Sequence, residues 1–114
     1  MNVLYVENHE HFSKAVKNEF LKDMDVTVSP TVESAIQYLN EKEFDVVLVD
    51  YDLDDGKGSE VIRYIRDRDI NTKTIAVSSH KKGNDHMASL GANAVCEKMR
   101  FKNILNTIHE VLSE

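Results

Sequence analysis

The amino-acid sequence predicts an α/β protein: one domain of three layers, in which a five-stranded parallel sheet lies between two layers of helices. Short β-branched and aliphatic runs alternate along the chain with segments whose apolar residues recur every three or four positions. Helical connections between parallel strands are right-handed, and they cover both faces of the sheet. With 114 residues, 41% of them hydrophobic, and one proline, residues 1–114 can bury one sizeable core.

Five strands are predicted, each only a few residues long. They cover residues 3–6, 26–28, 46–49, 74–77 and 93–96. The first and third have the most continuous apolar sequence, which is typical of strands that are buried on both faces. We therefore expect these two strands at the centre of the sheet.

A helix is predicted after each strand, because apolar residues recur at the spacing of one helix face. The apolar faces are, in chain order, Phe12, Ala15, Val16 and Phe20; Val32, Ala35, Ile36 and Leu39; Val61, Ile62 and Ile65; Met87, Ala88 and Leu90; and Phe101, Ile104, Leu105, Ile108 and Leu112. Residues typical of helix starts lie at 29–31, 58–60 and 82–85, ahead of the second, third and fourth patterns. The sequence thus predicts five helices.

The charge balance and the hydropathy pattern argue against several classes of protein. Twenty acidic and fourteen basic residues give a net charge of −6, and no basic run is longer than Lys81–Lys82. Direct binding to nucleic acid is therefore not expected. The chain begins without a charged leader and contains no run of roughly 18 apolar residues, so we expect a cytoplasmic protein that does not contact the membrane.

Acidic residues follow the two strands expected at the centre of the sheet. The run VVLVDYDLDDG places Asp50 directly after the third strand, and Glu7 and Asn8 follow the first. In a doubly wound sheet of order 2-1-3-4-5, an order taken from known folds, the binding crevice lies at the carboxyl ends of strands 1 and 3. Two carboxylates about 4 Å apart there repel by roughly 4 kcal/mol, so a cation is expected. Oxygen ligands without a cage of His or Cys favour Mg²⁺.

Other polar and small residues lie at or soon after the ends of the predicted strands. Together the set is Glu7–Asn8, Asp50, Gly58, Ser78, Gly91–Ala92 and Lys98. No single position is specific, but their order, placement and spacing are specific in combination. In this combination the chain resembles, over essentially its whole length, the receiver domain of two-component response regulators. The resemblance implies a flavodoxin-like fold of the receiver type, with sheet order 2-1-3-4-5.

The resemblance implies that Asp50 is the phosphoacceptor. It would take a phosphoryl group from the phosphohistidine of a histidine kinase or phosphotransfer protein and form an acyl phosphate. Glu7, Asn8, Asp50 and the backbone carbonyl of Asp52 would hold Mg²⁺. Such a domain reacts with and loses its own phosphoryl group, and it is not an enzyme acting on other molecules.

Two further residues complete the site that the resemblance implies. Lys98 would pair with a phosphoryl oxygen as a point charge. The hydroxyl of Ser78 would reach the modified group and pull the following loop, 79–83, inward. This movement would switch protein–protein contacts.

Four positions depart from the family pattern. Asn8 stands where an acidic ligand is usual, so the affinity for Mg²⁺ is expected to be lower. Val95 replaces an aromatic residue that swings inward on activation, so the readout must differ. Met99 replaces the proline after the lysine, which leaves the aim of Lys98 undetermined, and Asp54 replaces a loop proline.

Other residues near the site carry weaker signals. Asp52 and His80 each lie two positions past a site residue, and we hypothesise that they tune the lifetime of the acyl phosphate. His9 and His11 form an H-x-H pattern, but no third ligand of a transition-metal site is visible in the sequence. This pattern is therefore not interpreted as a metal site.

Two alternative functions stay open. A receiver-shaped interaction module that never carries phosphate is favoured by Asn8, Val95 and Met99, whereas the intact set of Asp50 and its partners argues against it. A small Mg²⁺-dependent phosphatase is suggested by the DYD motif. Phosphatases of the haloacid dehalogenase type carry that motif on the first strand and need a later acidic pair, so this alternative is more distant.

The expected partner surface is the face formed by the fourth helix, the fifth strand and the fifth helix. Basic residues concentrate there on an otherwise acidic chain, namely Lys81, Lys82, Arg100 and Lys102. This face would meet an acidic downstream protein or a second copy of the chain. The sequence does not decide between a stand-alone receiver and one part of a longer protein.

Overall fold

The computed structural model describes residues 1–114 and contains seven strands, five α-helices and one 3₁₀ segment. The strands are β1 Asn2–Val6, β2 Asp25–Ser29, β3 Val46–Val49, β4 Asp52–Leu53, β5 Gly56–Lys57, β6 Lys73–Ala76 and β7 Ala94–Val95. The helices are α1 Glu10–Glu19, α2 Val32–Glu41, α3 Gly58–Asp67, α4 Lys81–Ser89 and α5 Ile104–Leu112, with the 3₁₀ segment at Lys98–Asn103.

Five strands form one parallel sheet in the order β2-β1-β3-β6-β7. The strands β4 and β5 form a separate antiparallel hairpin between β3 and α3. With the hairpin set aside, the order is the predicted 2-1-3-4-5, and the predicted fold class is confirmed. The order reverses between β1 and β3, which puts their carboxyl ends side by side.

Two layers of apolar side chains hold the helices to the sheet. Alternate residues along a strand point to opposite faces, so Tyr5 lies in one layer and Leu4 in the other. One layer also contains residues of α1 and α5, and the other contains residues of α2, α3 and α4. All four residues of β3 are buried, as expected for a central strand.

The C-terminal segment differs in detail from the prediction. Phe101 belongs to the 3₁₀ segment and not to α5, which begins at Ile104; the backbone also departs from helical geometry within the 3₁₀ segment, at Arg100. The buried residues of α5 are Ile104, Ile108 and Val111, whereas Leu105 and Leu112 are each 37% exposed. Both exposed leucines lie one position past a buried residue, at the border of the apolar face. The fifth strand is also shorter than predicted.

The start of α2 ties this helix to the hairpin. Thr31 caps the helix, and its side chain accepts a hydrogen bond from the backbone N–H of Ser34. The carboxylate of Asp55 accepts two more, from the N–H groups of Val32 at 2.7 Å and Glu33 at 3.0 Å. Asp55 therefore fixes the loop after β3 to α2.

No helix of the protein combines the length and the apolar character needed to cross a membrane.

Candidate functional site

The predicted site residues lie where the central strands end. Glu7 follows the last residue of β1, and Asp50 follows the last residue of β3. The hydrogen-bond ladder continues through these positions, because the N–H of Asp50 donates to the carbonyl of Val6 at 2.9 Å. Ser78 lies two residues past β6, the next strand in the sheet. The fold therefore brings the ends of three neighbouring strands to one edge.

Lys98 joins the two buried carboxylates of the site. Its Nζ lies 2.7 Å from Oε1 of Glu7 and 3.0 Å from Oδ2 of Asp50. Glu7 is 1% exposed and Asp50 is 4% exposed, so both carboxylates are almost fully removed from water. The ammonium group also lies 4.9 Å from the ring centre of Phe12, which shields one side of it. The lysine reaches the site although Met99 follows it.

The remaining oxygens of the two carboxylates face other donors. Oε2 of Glu7 accepts from the backbone N–H of His9 at 3.1 Å and lies 3.1 Å from Nδ1 of the same residue. The buried hydroxyl of Tyr5 donates at 3.4 Å to Oε1 of Glu7, the oxygen that also faces Lys98. Oδ1 of Asp50 accepts from the N–H of Tyr51 at 2.8 Å. These contacts fix the orientation of both carboxylates.

Burial and ion pairing shift the pKa values of these groups in different directions. Burial raises the pKa of Glu7, but hydrogen bonds from Lys98 and His9 outweigh it, so the pKa lies below its ordinary value. Burial and the charge of Glu7 raise the pKa of Asp50, and Lys98 offsets only part of this rise. Burial lowers the pKa of Lys98, but the two carboxylates raise it by more, so the pKa lies above its ordinary value. Asp50 is therefore the carboxylate that would gain most from another cation.

Ser78 is held in place at the end of its strand. The side chain of Asn84 in α4 makes two hydrogen bonds to the backbone of Ser78, at 2.9 Å to the N–H and 2.8 Å to the carbonyl. The Ser78 hydroxyl oxygen accepts from the N–H of His80 at 3.1 Å. Asn84 is 3% exposed and links α4 directly to the site edge, a contact that the sequence analysis did not identify.

The side chains of the other two predicted metal ligands turn to different partners. Nδ2 of Asn8 donates to Oδ1 of Asp54 at 3.0 Å. The carboxylate of Asp52 forms an ion pair with Lys57 and lies 3.8 Å from Nε2 of His80. Instead of these two side chains, His9 lies beside the carboxylates of Glu7 and Asp50. The possible ligand atoms of these three residues lie within 4.8 Å of one another.

The chemistry of this site fits a divalent cation. Two carboxylates carry two negative charges, and Lys98 supplies only one positive charge. Oδ1 of Asn8 is buried and has no hydrogen-bond partner, which is costly for an acceptor oxygen unless something binds it. Oxygen donors of this kind suit Mg²⁺.

Tyr51 is a second residue that the sequence analysis missed. Its ring lies against Gly83 of α4, where an added Cβ would come within 2.6 Å of the ring. Its hydroxyl lies 3.1 Å from Nδ1 of His86, also in α4. Tyr51, the residue after Asp50, is therefore packed on α4 and links the Asp50 backbone to this helix.

The fold and the site define a doubly wound α/β protein with an acidic, lysine-bridged site at the point where the strand order reverses. Comparison of the sequence with protein families then gives the particular family. The chain belongs to the response regulator receiver domain family, whose model matches residues 3–108. The resemblance predicted from the strand-end residues is thus confirmed. No curated protein matches the sequence.

Solved structures of response regulators superpose on the whole chain. A LuxR-family DNA-binding response regulator from Staphylococcus aureus has a TM-score of 0.89 at 20% identity, covering 97% of this chain and 98% of that one. The receiver domain of the Francisella response regulator 1452 has a TM-score of 0.87 at 18% identity, covering 98% and 96%. TrrA from Thermotoga maritima, in complex with Mg²⁺ and BeF, has a TM-score of 0.86 at 18% identity, covering 96% and 97%. At these identities the likeness shows the shared fold.

Proposed function

We propose that residues 1–114 form a phosphoacceptor receiver domain, in which Asp50 takes a phosphoryl group from a histidine kinase or phosphotransfer protein. The observation that carries this proposal is the contact of one ammonium group, Lys98 Nζ, with the carboxylates of both Asp50 and Glu7. A buried lysine between two carboxylates can turn to a new anion without leaving the site. Family membership supports the same function.

The proposed reaction moves one phosphoryl group between two side chains. A carboxylate oxygen of Asp50 attacks the phosphorus, the P–N bond to the donor histidine breaks, and the imidazole leaves with that electron pair. Transfer of this kind needs positioning and charge neutralisation more than covalent help. Lys98 would then pair with a phosphoryl oxygen, and the Ser78 hydroxyl, whose oxygen accepts from the N–H of His80, would donate its proton to another phosphoryl oxygen.

The metal of this site would be held by oxygen atoms. Glu7 and Asp50 offer carboxylates, Asn8 offers its unpaired Oδ1, and we assign the backbone carbonyl of Asp52 as a fourth ligand. Bound Mg²⁺ would supply charge neutralisation for the phosphoryl oxygens. The side chain of Asp52 is not part of this set, because it is paired with Lys57.

The proposed output of the domain is a change in protein contacts at α4, β7 and α5. Lys81, Lys82, Arg100 and Lys102 are exposed on or near these elements, on a chain of net charge −6, and we assign them to one basic surface in which Lys81 is paired with Asp85. An acidic downstream protein or a second copy would suit this surface. Because Val95 cannot act as the usual aromatic switch residue, we assign the coupling to Tyr51, which packs on Gly83 and His86 of α4.

Mass spectrometry tests the proposed function. Intact protein incubated with a small phosphodonor and Mg²⁺ is expected to gain the mass of one phosphoryl group, and Asp50→Asn is expected to gain none. The variant gains no mass because the amide of asparagine cannot form an acyl phosphate. An unmodified wild-type protein, under conditions that modify a receiver of known activity, contradicts the proposal.

The alternative is an interaction module that carries no phosphate. It is favoured by the neutral Asn8, whose amide is turned to Asp54. The same mass measurement separates the two functions, since such a module stays unmodified. The phosphatase alternative is set aside, because the chain belongs to the receiver family.

Removal of the side chains of Asp52 and His80 together is expected to slow dephosphorylation of the acyl phosphate several-fold. The two groups lie 3.8 Å apart, two residues past Asp50 and Ser78, where they can orient an attacking water. The effect is smaller than the roughly hundredfold that a general base contributes. The rate is followed by loss of the phosphoryl mass, with His109→Ala on α5 as control. Equal rates in the double alanine variant and the wild type would rule out this role.

A further inference from the structure

We propose that His9 contributes Nδ1 as a third ligand to the cation site, so that the site takes a first-row transition metal dication, such as Zn²⁺, in preference to Mg²⁺. This inference rests on the proposed function only in that it concerns the cation of the same site. Whether His9 binds the metal does not depend on whether Asp50 is phosphorylated.

The distance between the imidazole and Glu7 suits two ligands of one ion. Nδ1 of His9 lies 3.1 Å from Oε2 of Glu7. Two donors that each bind one ion at about 2.1 Å lie about 3.0 to 3.4 Å apart in octahedral or tetrahedral geometry. The donor atoms of His9, Glu7 and Asp50 lie within 4.8 Å of one another, so small side-chain adjustments complete the set.

The two carboxylate oxygens of Glu7 face different partners. Oε1 faces the ammonium group of Lys98 at 2.7 Å, and Oε2 faces the imidazole at 3.1 Å. The cation would therefore bind on the imidazole side of Glu7 without displacing Lys98. The His9 side chain is 68% exposed, which leaves an open approach for the ion.

The neighbouring backbone orients the imidazole before an ion arrives. The N–H of His9 donates to Oε2 of Glu7 at 3.1 Å, so the backbone at His9 is fixed to the carboxylate. Without an ion, Nδ1–H can donate to that oxygen, and the tautomer with its proton on Nε2 frees the Nδ1 lone pair for a metal. The buried, unpartnered Oδ1 of Asn8, between these two residues in the chain, gives a further donor.

The ligand types determine the preferred metal. Mg²⁺ favours carboxylate, carbonyl and water oxygens, whereas imidazole suits Zn²⁺ and other late first-row metals. Mn²⁺, which also accepts oxygen ligands, serves as the paramagnetic probe of the site. One nitrogen added to two carboxylates thus shifts the preference away from Mg²⁺. The neutral Asn8 acts in the same direction, because it removes a charge on which Mg²⁺ binding depends.

Pulsed electron paramagnetic resonance with Mn²⁺ tests this inference on the full chain. Wild-type protein is expected to show coupling of Mn²⁺ to a directly bound imidazole nitrogen, and His9→Ala is expected to lose it. In titrations, His9→Ala is expected to bind Mn²⁺ at least tenfold more weakly, while its affinity for Mg²⁺ changes less than twofold. His11→Ala is the matched control, because it removes the other histidine of the H-x-H pattern and is expected to behave as wild type.

The outcomes separate this inference from the proposed function. Bound Mn²⁺ without nitrogen coupling, and with equal affinity in His9→Ala, overturns the inference and leaves an all-oxygen site. Absence of Mn²⁺ binding also overturns it. Nitrogen coupling in a protein whose Asp50 is not phosphorylated supports the inference, while the proposed function fails. Because the His9 side chain is mostly exposed, the alanine variant is expected to fold.

Discussion

Replacement of Lys98 by methionine is expected to lower the free energy of unfolding at neutral pH by about 3 kcal/mol, the lower end of the range for breaking a buried ion pair. Methionine keeps the length and the apolar stem of the lysine but removes its charge. Glu7 and Asp50 would then stand as two buried carboxylates without a cation between them. The lower end of the range applies because the Lys98 side chain is 14% exposed.

The deficit of the Lys98→Met variant is expected to shrink as the pH falls. Without the ammonium group, burial and mutual repulsion place the folded-state pKa values of both carboxyl groups above their unfolded values. A group whose pKa is raised on folding binds more protons in the native state, so stability rises as the pH falls through the folded-state pKa. The recovery should therefore begin above the ordinary carboxyl range of about pH 4.

Urea unfolding followed by circular dichroism, at several pH values, measures this effect. Lys102→Met is the matched control, because Lys102 lies in the same 3₁₀ segment, is exposed and forms no ion pair. The control is expected to stay within about 0.5 kcal/mol of the wild type. A Lys98→Met protein as stable as the control at neutral pH would show that the ion pairs contribute little to folding.

Replacement of Gly58 by alanine is expected to destabilise the protein by about 3 kcal/mol and to slow phosphorylation of Asp50. A Cβ at Gly58 would lie 2.0 Å from the carbonyl oxygen of Asp50 and 2.8 Å from a methyl carbon of Val49. Backbone atoms at the end of a central strand cannot move aside cheaply. The first turn of α3 must therefore shift, and with it the peptide of Asp50, the proposed phosphoacceptor.

Gly56→Ala provides a control two residues earlier, in the hairpin that precedes α3. Its Cβ would meet the far end of the Glu60 side chain at 2.2 Å, and that flexible side chain can rotate away. Because Glu60 also accepts a hydrogen bond from the N–H of Lys57, a smaller loss of about 1 kcal/mol is expected. Unfolding and phosphodonor kinetics are compared for the two variants. Equal losses for both would contradict the close contact of Gly58 with Asp50.

Much of the fold could be predicted because its signals are local. The apolar run 46–49 and its counterpart at 3–6 predicted two central strands, and both are buried in the sheet. The strand order could not be worked out from these runs, since an apolar run indicates that a strand is buried but not which strand it pairs with. It was taken from known folds, and the structure agrees with it. The hairpin 52–57 was not predicted, because its two strands contain only two residues each.

The site was predicted in part. Glu7 and Asp50 lie together because each directly follows a central strand. Lys98, three residues past β7, reaches both with its long side chain. The roles of Asn84, Asp55 and His9 depend on contacts between elements far apart in the chain or on side-chain direction. The H-x-H pattern alone could not single out His9 as the proposed ligand, since the carboxylates near it follow two different strands.

The sequence by itself determined the alternation of strands and helices, the burial of the central strands and the acidic character of their carboxyl ends. These properties follow from periodicity and residue type, which act over short distances along the chain. Only the tertiary structure decided which oxygen of Glu7 faces Lys98 and which faces His9, and that Tyr51 packs on α4. Such choices depend on crossover geometry and side-chain packing, to which residues many positions apart contribute together.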